Sequence, residues 1–317
     1  MICTDLGHGP DDLLALVIAA ATLPVRLVVT SDEFGGGQRA RLARYVLNLC
    51  GRTGVRVIAG TEIEGAESRW VCEGLVPAGV APTSAQTTGS VRDAVRTVLR
   101  EHPRAAWIGH GPLTNLARLV TCEPDLARQL VITQMGAPVS YRTPEKASRN
   151  LRIDPHSARV VLTAPELTMS LVTSDISLAK EIEIRADNEI YRLLSAHTAP
   201  RWARVLAQGY SRWFAHEQTG SIAADPLAIA AAAGLPFVQF DTEAVTISPD
   251  ARMLLDPNGI RLRMSTTADY SGFRSWVVMV MRHVLQAGMG YDPSLITRHP
   301  GDRTIAPAVR AARIGVR

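Results

Sequence analysis

Short apolar runs alternate with longer amphipathic stretches over the first half of the chain. The β-branched runs predict strands near residue 2 and over residues 25–30, 55–59, 105–108, 130–133 and 166–173. Between them, apolar positions at helical spacing predict helices over residues 13–21, 39–49 and 91–101. This alternation predicts an α/β fold with a mainly parallel, doubly wound central sheet flanked by helices.

The remaining segments carry weaker patterns. Residues 61–90 are irregular and predict a surface excursion, and residues 176–220 have a helical pattern. The stretch 245–278 predicts strands, with Asn258-Gly259 as a hairpin turn. We expect one domain over residues 1–297 and an Arg- and Ala-rich, loosely ordered tail over residues 298–317.

Composition narrows the class of protein. The chain has 317 residues, 46% of them hydrophobic and 20% charged, with a net charge of +4. The absence of a Lys/Arg block and an aromatic content of 5% argue against a nucleic-acid binder. No apolar run approaches the ~20 residues of a membrane span, and no leader is visible. Four cysteines without CxxC spacing indicate reduced thiols, so a cytoplasmic protein that contacts no membrane is expected.

Three carboxylates follow the first strand. Asp5 lies at the predicted strand end, and Asp11 and Asp12 precede the first helix. Loops after parallel strands lie at the ligand-binding edge of the sheet. Carboxylates packed there repel one another unless a cation such as Ca²⁺ offsets their charge. The alternative is that Asp11 or Asp12 only caps the helix, and the position of Asp5 favours a site.

Four motifs resemble those of the inosine-uridine preferring nucleoside hydrolases. Residues 3–16 are similar to the signature D-T-D-x-G-x-x-x-D-D-x-x-A-L, from which only Cys3 departs. Residues 111–117 match G-P-L-T-N-L-A without departure. Asn150 and Asp154-Pro155 are similar to E-F-N-x-x-x-D-P-x-A-A, and residues 224–228 to H-D-P-L-A.

The resemblance implies a role for each matched residue. It implies a calcium ion bound by four groups, which are Asp5, Asp12, Asp225 and the Thr114 carbonyl. It further implies that Asp5 is the general base, that Asp11 holds the ribose 2′-hydroxyl and that Asn150 holds the sugar. The substrate would be a small nucleoside or nucleotide, and the protein a homo-oligomer, dimer or tetramer. On local grounds alone, Thr114 or Asn115 could simply cap the next helix.

Three departures from the family pattern concern the sugar and the leaving base. The loop after the second strand has no Asn, so Asp32 or Glu33 would have to contact the sugar unless this loop is only a turn. Ser148 replaces the Glu that binds the 5′ end of the ribose. Ala224 replaces the His that protonates the leaving base, which leaves Glu33, His8 and Tyr210 as candidate donors.

The basic residues around Ser148 suggest an altered 5′ subsite. Arg142, Lys146, Arg149 and Arg152 could accept an anionic 5′ group that a Glu would repel. Alternatively, these side chains form a solvated loop face. The aromatic residues of the 202–216 segment raise a similar choice, between a place in the core and a ring that stacks on the base.

The sequence therefore favours calcium-dependent hydrolysis of the N-glycosidic bond of a ribonucleoside or 5′-modified ribonucleoside. One alternative is a non-catalytic ribose-binding protein that kept the metal site but lost the leaving-group acid. Another is a metal-dependent phosphoesterase, which the G-P-L-T-N-L-A motif argues against.

Overall fold

The computed structural model describes residues 1–77, 90–140, 146–217 and 219–298. Its strands are β1 (Ile2–Thr4), β2 (Leu27–Thr30), β3 (Arg56–Ile58), β4 (Ala106–Gly109), β5 (Val131–Met135), β6 (Thr168–Val172), β7 (Glu183–Ile184), β8 (Ser221–Ile222), β9 (Val238–Ile247), β10 (Met253–Leu255) and β11 (Ile260–Ala268). Its α-helices are α1 (Pro10–Thr22), α2 (Gln38–Leu49), α3 (Val91–Glu101), α4 (Thr114–Cys122), α5 (Pro124–Ala127), α6 (Arg149–Arg152), α7 (Pro155–Leu162), α8 (Ser174–Ser177), α9 (Glu189–Ser195), α10 (Arg201–Glu217), α11 (Ala224–Ala232), α12 (Tyr270–Ala287) and α13 (Ser294–Thr297). Two 3₁₀ helices span Ala66–Arg69 and Lys180–Ile182.

Nine strands form one sheet in the order β10-β9-β11-β6-β5-β4-β1-β2-β3. All pairs from β11 to β3 are parallel, and β9 pairs antiparallel with both β10 and β11. The short apolar strands β1 and β2 are buried along their whole length, as expected where helices cover both faces of a parallel sheet. The predicted doubly wound α/β fold is confirmed.

The order of winding reverses at β1. The chain proceeds from β1 to β2 and β3 on one side, then returns to add β4 on the other side. The loops after β1 and β4 therefore leave in opposite directions, which opens a crevice at the carboxyl ends of these strands. The first acidic loop of the chain lies at this crevice.

The core is divided between the two faces of the sheet. On one face α1, α2, α10, α11 and α12 supply the apolar side chains, and on the other α3, α4 and α7 do so. Helix α1 is buried at every position except Asp11, which is half-buried. A helix that is apolar around its whole circumference must be enclosed by other elements. Its first turn is accordingly fixed against the end of β1.

The prediction of strands over residues 245–278 is wrong from residue 270 onward. Residues from Tyr270 onward form α12, whose buried side chains recur at helical spacing, including Phe273, Trp276, Val277 and Val280. The predicted turn at Asn258-Gly259 is present, because the Gly259 N–H donates to the Asp256 carbonyl. However, β10 and β11 each pair with β9 rather than with each other. The helical pattern over 176–220 is interrupted by β7, which pairs with β8.

The chain ends and the irregular segment are covered only in part. The described residues exclude the predicted tail from residue 299 onward and residues 78–89 of the predicted surface excursion. The domain boundary at residue 297 therefore stays a prediction. Among the residues that the structure describes, no helix has both the length and the apolar composition needed to cross a bilayer.

Candidate active site

The loops after β1, β2 and β4 meet at the crevice. A Cβ added to Gly111 would lie 2.3 Å from Ser31 Oγ and 3.0 Å from Asp5 Oδ1, so only glycine permits this close approach. Asn115, in the loop after β4, contacts the end of β2, because its Nδ2 donates to the Thr30 carbonyl at 2.9 Å. The G-P-L-T-N-L-A motif, which follows β4, thus holds the end of β2 against the end of β4.

Three carboxylates are grouped beside this junction. Asp11, Asp12 and Asp225 each offer an oxygen within 4.8 Å of the other two. Asp11 and Asp12 lie in the first turn of α1, and Asp225 lies in the first turn of α11, which packs against α1. Both helix N-termini direct their positive dipole ends toward these carboxylates, which favours negative charge there. We call Asp11, Asp12 and Asp225 the acid cluster.

Asp12 has a second function as a helix cap. Its Oδ2 accepts a hydrogen bond from the Gly9 N–H at 3.1 Å, and its Oδ1 accepts one from Thr4 Oγ1 at 3.0 Å. The alternative interpretation of this residue as a cap is therefore realised. It does not exclude a site, because each carboxylate oxygen has a second lone pair.

Among the residues that the structure describes, no Lys or Arg forms an ion pair with the acid cluster. Burial, followed by repulsion from Asp5, raises the pKa of Asp12 to about 6. Burial and repulsion from neighbouring carboxylates raise the pKa values of Asp11 and Asp225 well above their ordinary range. Asp225 Oδ1 is buried and has no hydrogen-bond partner in the described part of the chain. An oxygen-seeking divalent cation would satisfy this oxygen and offset the repulsion, so the donor set fits such an ion.

Asp5 lies in a different electrostatic environment. Burial alone would raise its pKa, but Arg149, His8 and Arg39 together lower the pKa of Asp5 to about 2. Arg149 Nη1 donates to Asp5 Oδ2 at 2.5 Å. Asp11, Asp12 and Asp225 form the group within 4.8 Å of one another, and the ligation of a metal by Asp5 stays a prediction.

Asp32 is the centre of a buried ionic network. Its backbone is left-handed, with φ of 52°, and its carboxylate accepts from Arg39, Arg69 and Arg149. Arg39 is completely buried and also donates to the backbone carbonyls of Asp5 and Leu6. Arg39 was predicted only as the first residue of the helix over residues 39–49. The signal that could have found it is the pair of acids in the preceding loop, which require buried cations.

Glu33 caps α2 and does not face the crevice as a free carboxylate. Oε1 accepts from the backbone N–H groups of Phe34 and Arg39, and Oε2 accepts from the Ala40 N–H and the Thr30 hydroxyl. The oxygens are thus occupied by the helix N-terminus and the strand end. The predicted contact of Glu33 with the substrate stays a prediction.

The remaining matched residues are near the crevice but have structural partners. Thr114 begins α4, and its hydroxyl donates to Asp154 Oδ2 at 2.6 Å. Asn150 Nδ2 donates to the carbonyls of His110 and Met135, at 2.6 and 3.3 Å. Ser148 Oγ accepts from the Ala137 N–H at 3.1 Å. These contacts fix the loops. The predicted contacts with the sugar and the metal stay predictions.

Two of the three candidate leaving-group donors remain available. The Tyr210 hydroxyl is buried and has no hydrogen-bond partner among the described residues, and burial, Asp11 and Asp225 raise its pKa well above the ordinary value. His8 Nδ1 is buried and likewise has no partner among the residues described, while burial and Arg149 lower the pKa of His8 to about 4. A neutral His8 cannot donate as an imidazolium near neutral pH, so Tyr210 is the better candidate.

The aromatic residues of α10 divide between core and crevice. Trp202 and Tyr210 are buried in the core, whereas Trp213 is half-buried and lies edge-on to His8, with ring centroids 6.3 Å apart. The predicted stacking of an α10 ring on the base stays a prediction. A separate cavity of about 760 Å³, between α9 and α12, contains none of the predicted site residues.

Comparisons with known proteins agree with this arrangement. The family model described as inosine-uridine preferring nucleoside hydrolase matches residues 1–283. A pyrimidine-specific ribonucleoside hydrolase of Citrobacter koseri is 26% identical over 202 residues, covering 59% of this chain and 64% of that protein. The chain thus spans less than two thirds of that relative. Its counterpart in Salmonella enteritidis is 25% identical over 246 residues, 72% of this chain and 78% of that protein.

The crystal structure of the inosine-uridine preferring nucleoside hydrolase from Bacillus anthracis shares the fold, with a TM-score of 0.68 at 16% identity over 89% of this chain and 98% of that chain.

Proposed function

This chain belongs to the inosine-uridine preferring nucleoside hydrolase family, and from that premise we propose that it hydrolyses the N-glycosidic bond of a ribonucleoside with the help of calcium. The products are the free base and a ribose product. The observation that carries the proposal is the buried, unpartnered Asp225 Oδ1 beside Asp11 and Asp12, at the carboxyl edge of the sheet. A charged group left unsatisfied in this way is costly unless a ligand completes it.

The proposed metal site uses Asp5, Asp12 and Asp225, with Asp11 within reach and the Thr114 carbonyl as the expected backbone ligand. A bound calcium ion would supply a template for the sugar hydroxyls and would lower the pKa of a coordinated water. The geometry favours oxygen ligation, because the cluster contains only carboxylates. The choice of Ca²⁺ over other hard cations is part of the proposal.

The chain's own groups would act on water, sugar and base. Asp5 is ionised throughout the neutral range, so its carboxylate can accept a hydrogen bond from the attacking water and orient it. The uncoordinated oxygen of Asp11 can accept from a ribose hydroxyl, and Asn150 shapes the sugar pocket through its contact with His110. The Tyr210 hydroxyl can donate toward the departing base, because Ala224 stands where the family has a histidine.

The 5′ end of the sugar is proposed to tolerate an anionic substituent. Ser148 brings no charge, and Arg149 reaches the crevice, whereas Arg152 is exposed and donates to the Ala147 carbonyl. Lys146 is exposed, and Arg142 lies outside the described residues. Arg149 would have to give up part of its contact with Asp32 to bind a phosphate. The expected substrates therefore include nucleoside 5′-phosphates beside plain nucleosides.

A second candidate, binding without turnover, is favoured by the pairing of Arg149 with Asp5 and by the loss of the family histidine. Base release from guanosine, inosine, uridine and a nucleoside 5′-phosphate, each with and without a calcium chelator, separates the two. Chelator-sensitive release supports hydrolysis. Calcium-dependent binding of these compounds without any release would establish the binding protein instead, and release of phosphate alone would establish a phosphoesterase.

Quaternary structure and location are part of the same proposal. We expect a homo-oligomer, dimer or tetramer, in the cytoplasm, with a small nucleoside or nucleotide as its ligand. Light scattering coupled to size exclusion measures the mass directly. A monomer at working concentration would contradict this expectation without affecting the proposed chemistry.

A further inference from the structure

The cavity of about 760 Å³ between α9 and α12 lies apart from the crevice. Its walls are β7 with the turn that follows it, the start of α9 and one face of α12. The residues of that face recur at helical spacing and include Ser271, Arg274, Ser275, Val278 and Arg282. Since no residue assigned to the nucleoside lines this cavity, a ligand bound here would be a different molecule from the substrate.

The floor of the cavity is apolar. It is formed by side chains that are at most 4% exposed, which are Ile182, Ile184, Ile190, Phe273 and Val277. The same side chains belong to the hydrophobic core on this face of the sheet, so the floor is fixed before any ligand binds. The volume falls within the roughly 300–1,000 Å³ that is typical of ligand pockets.

The rim of the cavity carries more positive than negative charge. Its charged residues are Arg185, Arg192, Arg274 and Arg282 together with Glu183, Asp187 and Glu189.

The three carboxylates of the rim act on two of its arginines. Arg185 Nε donates to Glu183 Oε2 at 2.7 Å, and Arg282 Nη2 donates to Glu189 Oε1. Glu183 and, to a smaller extent, Asp187 raise the pKa of Arg185. Two guanidinium groups of the rim are therefore left over.

These two groups are the side chains of Arg192 and Arg274. In the part of the chain that the structure describes, neither forms an ion pair or a side-chain hydrogen bond. Arg192 follows Glu189 by one helical turn, and Arg274 lies about 12 Å from Arg282 along the helix axis. The contact between Arg282 and Glu189 joins α12 to α9 and so holds the two sides of the cavity together.

A guanidinium group binds carboxylate and phosphate oxygens through paired, charge-assisted hydrogen bonds. An exposed arginine alone needs no ligand, because most arginines are solvated at the surface. Here, however, two arginines without an acidic partner border one cavity whose floor is apolar. This combination matches a molecule that has an acidic group at one end and an apolar body at the other.

We propose that the cavity between α9 and α12 binds an amphipathic organic anion, with Arg192 and Arg274 on its acidic group and the apolar floor against its body. The acidic group is a carboxylate or a phosphate monoester, the two anions that suit guanidinium groups. The proposal does not depend on the proposed hydrolysis, which uses none of these residues.

The test is a fluorescence titration of the full chain with two matched probes. One is 8-anilino-1-naphthalenesulfonate, an amphipathic anion, and the other is N-phenyl-1-naphthylamine, which lacks only the sulfonate. Arg192→Gln/Arg274→Gln removes both charges, and Ser275→Trp places a ring in the cavity from an exposed position on α12. Arg100→Gln/Arg261→Gln is the control, because it removes two exposed arginines outside the cavity.

The wild type is expected to bind the sulfonate saturably, and Arg192→Gln/Arg274→Gln should weaken this binding by at least about tenfold. The neutral probe should bind the wild type more weakly, and the double variant should leave its affinity unchanged. Ser275→Trp should weaken the binding of both probes, and the control should change neither.

Competition identifies the acidic group and the site. Decanoate or phenyl phosphate should displace the sulfonate, and the more effective of the two shows which acidic group is preferred. Inorganic phosphate has no apolar body and should be a poorer competitor, while inosine should not compete.

The absence of saturable sulfonate binding would overturn the proposal, as would equal affinities in the wild type and Arg192→Gln/Arg274→Gln. An equal loss in the control would show a general effect of net charge, and displacement by inosine would assign the probe to the crevice, so either result would also overturn it. Unchanged binding in Ser275→Trp would place the probe outside the cavity, with the same consequence. Thermal melting verifies that each variant is folded, and none of these outcomes affects the proposed hydrolysis.

Discussion

Asp12 combines two functions in one carboxylate. It accepts from the Gly9 N–H at the start of α1, and it also lies within the acid cluster beside Asp225. A helix cap needs only an acceptor atom, whereas an ion needs a negative charge. Substitution by Asn retains the first property and removes the second, so the two functions can be separated.

Asp12→Asn should therefore lose calcium binding and base release while remaining folded. We expect the activity to fall by a factor on the order of 10² or more, the size of a lost catalytic group. The melting temperature without calcium should be unchanged or higher, because one repelling charge is gone. Asp93→Asn, on the exposed surface of α3, is the control. Retention of tight calcium binding in Asp12→Asn would place the ion elsewhere.

The pH dependence of the calcium effect follows from the same residue. The pKa of Asp12 in the folded, metal-free protein is about 6, above the 3.8 of a free carboxyl group. The protonated form contributes stability that is present below about pH 4 and is lost as the pH rises through about 6. In the proposed site, calcium would replace the lost proton as a positive partner. The calcium-induced rise in melting temperature should consequently be larger at about pH 7.5 than at about pH 5, and equal shifts would contradict an uncompensated cluster.

The Tyr210 hydroxyl can be tested through the leaving group. Tyr210→Phe removes the proposed donor with little change in volume. We expect the kcat for inosine to fall by roughly 10²-fold. The rate with a riboside that releases a stable phenolate should be nearly unchanged, because that leaving group needs no proton. Equal losses for both substrates would assign the tyrosine to packing instead.

At the scale of the secondary-structure element, Glu33 stabilises the start of α2. Its four hydrogen bonds satisfy three backbone donors and one hydroxyl. Glu33→Ala leaves those buried donors unpaired and should lower the free energy of unfolding by about 1–3 kcal/mol. Denaturant unfolding measures it, with the exposed Glu67→Ala as the control. A raised KM without a loss of stability would instead support the predicted contact between Glu33 and the substrate.

Elements with a regular pattern could be predicted from the sequence, and those without one could not. Helix α3 lies where the spacing placed it, and β1 to β6 lie within a few residues of their apolar runs. The start of α12 was placed too late because its buried residues, such as Trp276 and Val280, follow apolar strands with no polar break long enough to separate the two periods. In the site, motif residues were predictable, whereas the ion pair between Asp5 and Arg149 depends on the path of the loop after β5.

At the scale of the whole molecule, β10 lies at the edge of the large sheet. It presents Leu254 and Leu255, with 41% and 64% of their surfaces exposed. An exposed apolar edge strand is a surface on which a second copy can pair. Leu255→Asp should therefore reduce the mass of the proposed oligomer measured by light scattering. The activity of the resulting species reports whether assembly matters for the site, and an unchanged mass would exclude this edge as the interface.

The separation of the acid cluster along the chain affects the kinetics of folding. Asp11 and Asp12 are near the N-terminus and Asp225 is far along the chain, and they meet only when α11 docks against α1. A partly folded chain therefore offers an ion only isolated carboxylates. The proposed calcium ion would then stabilise a contact that forms only on docking. If that contact is absent from the transition state for folding, the ion would mainly slow unfolding and so lengthen the lifetime of the native state.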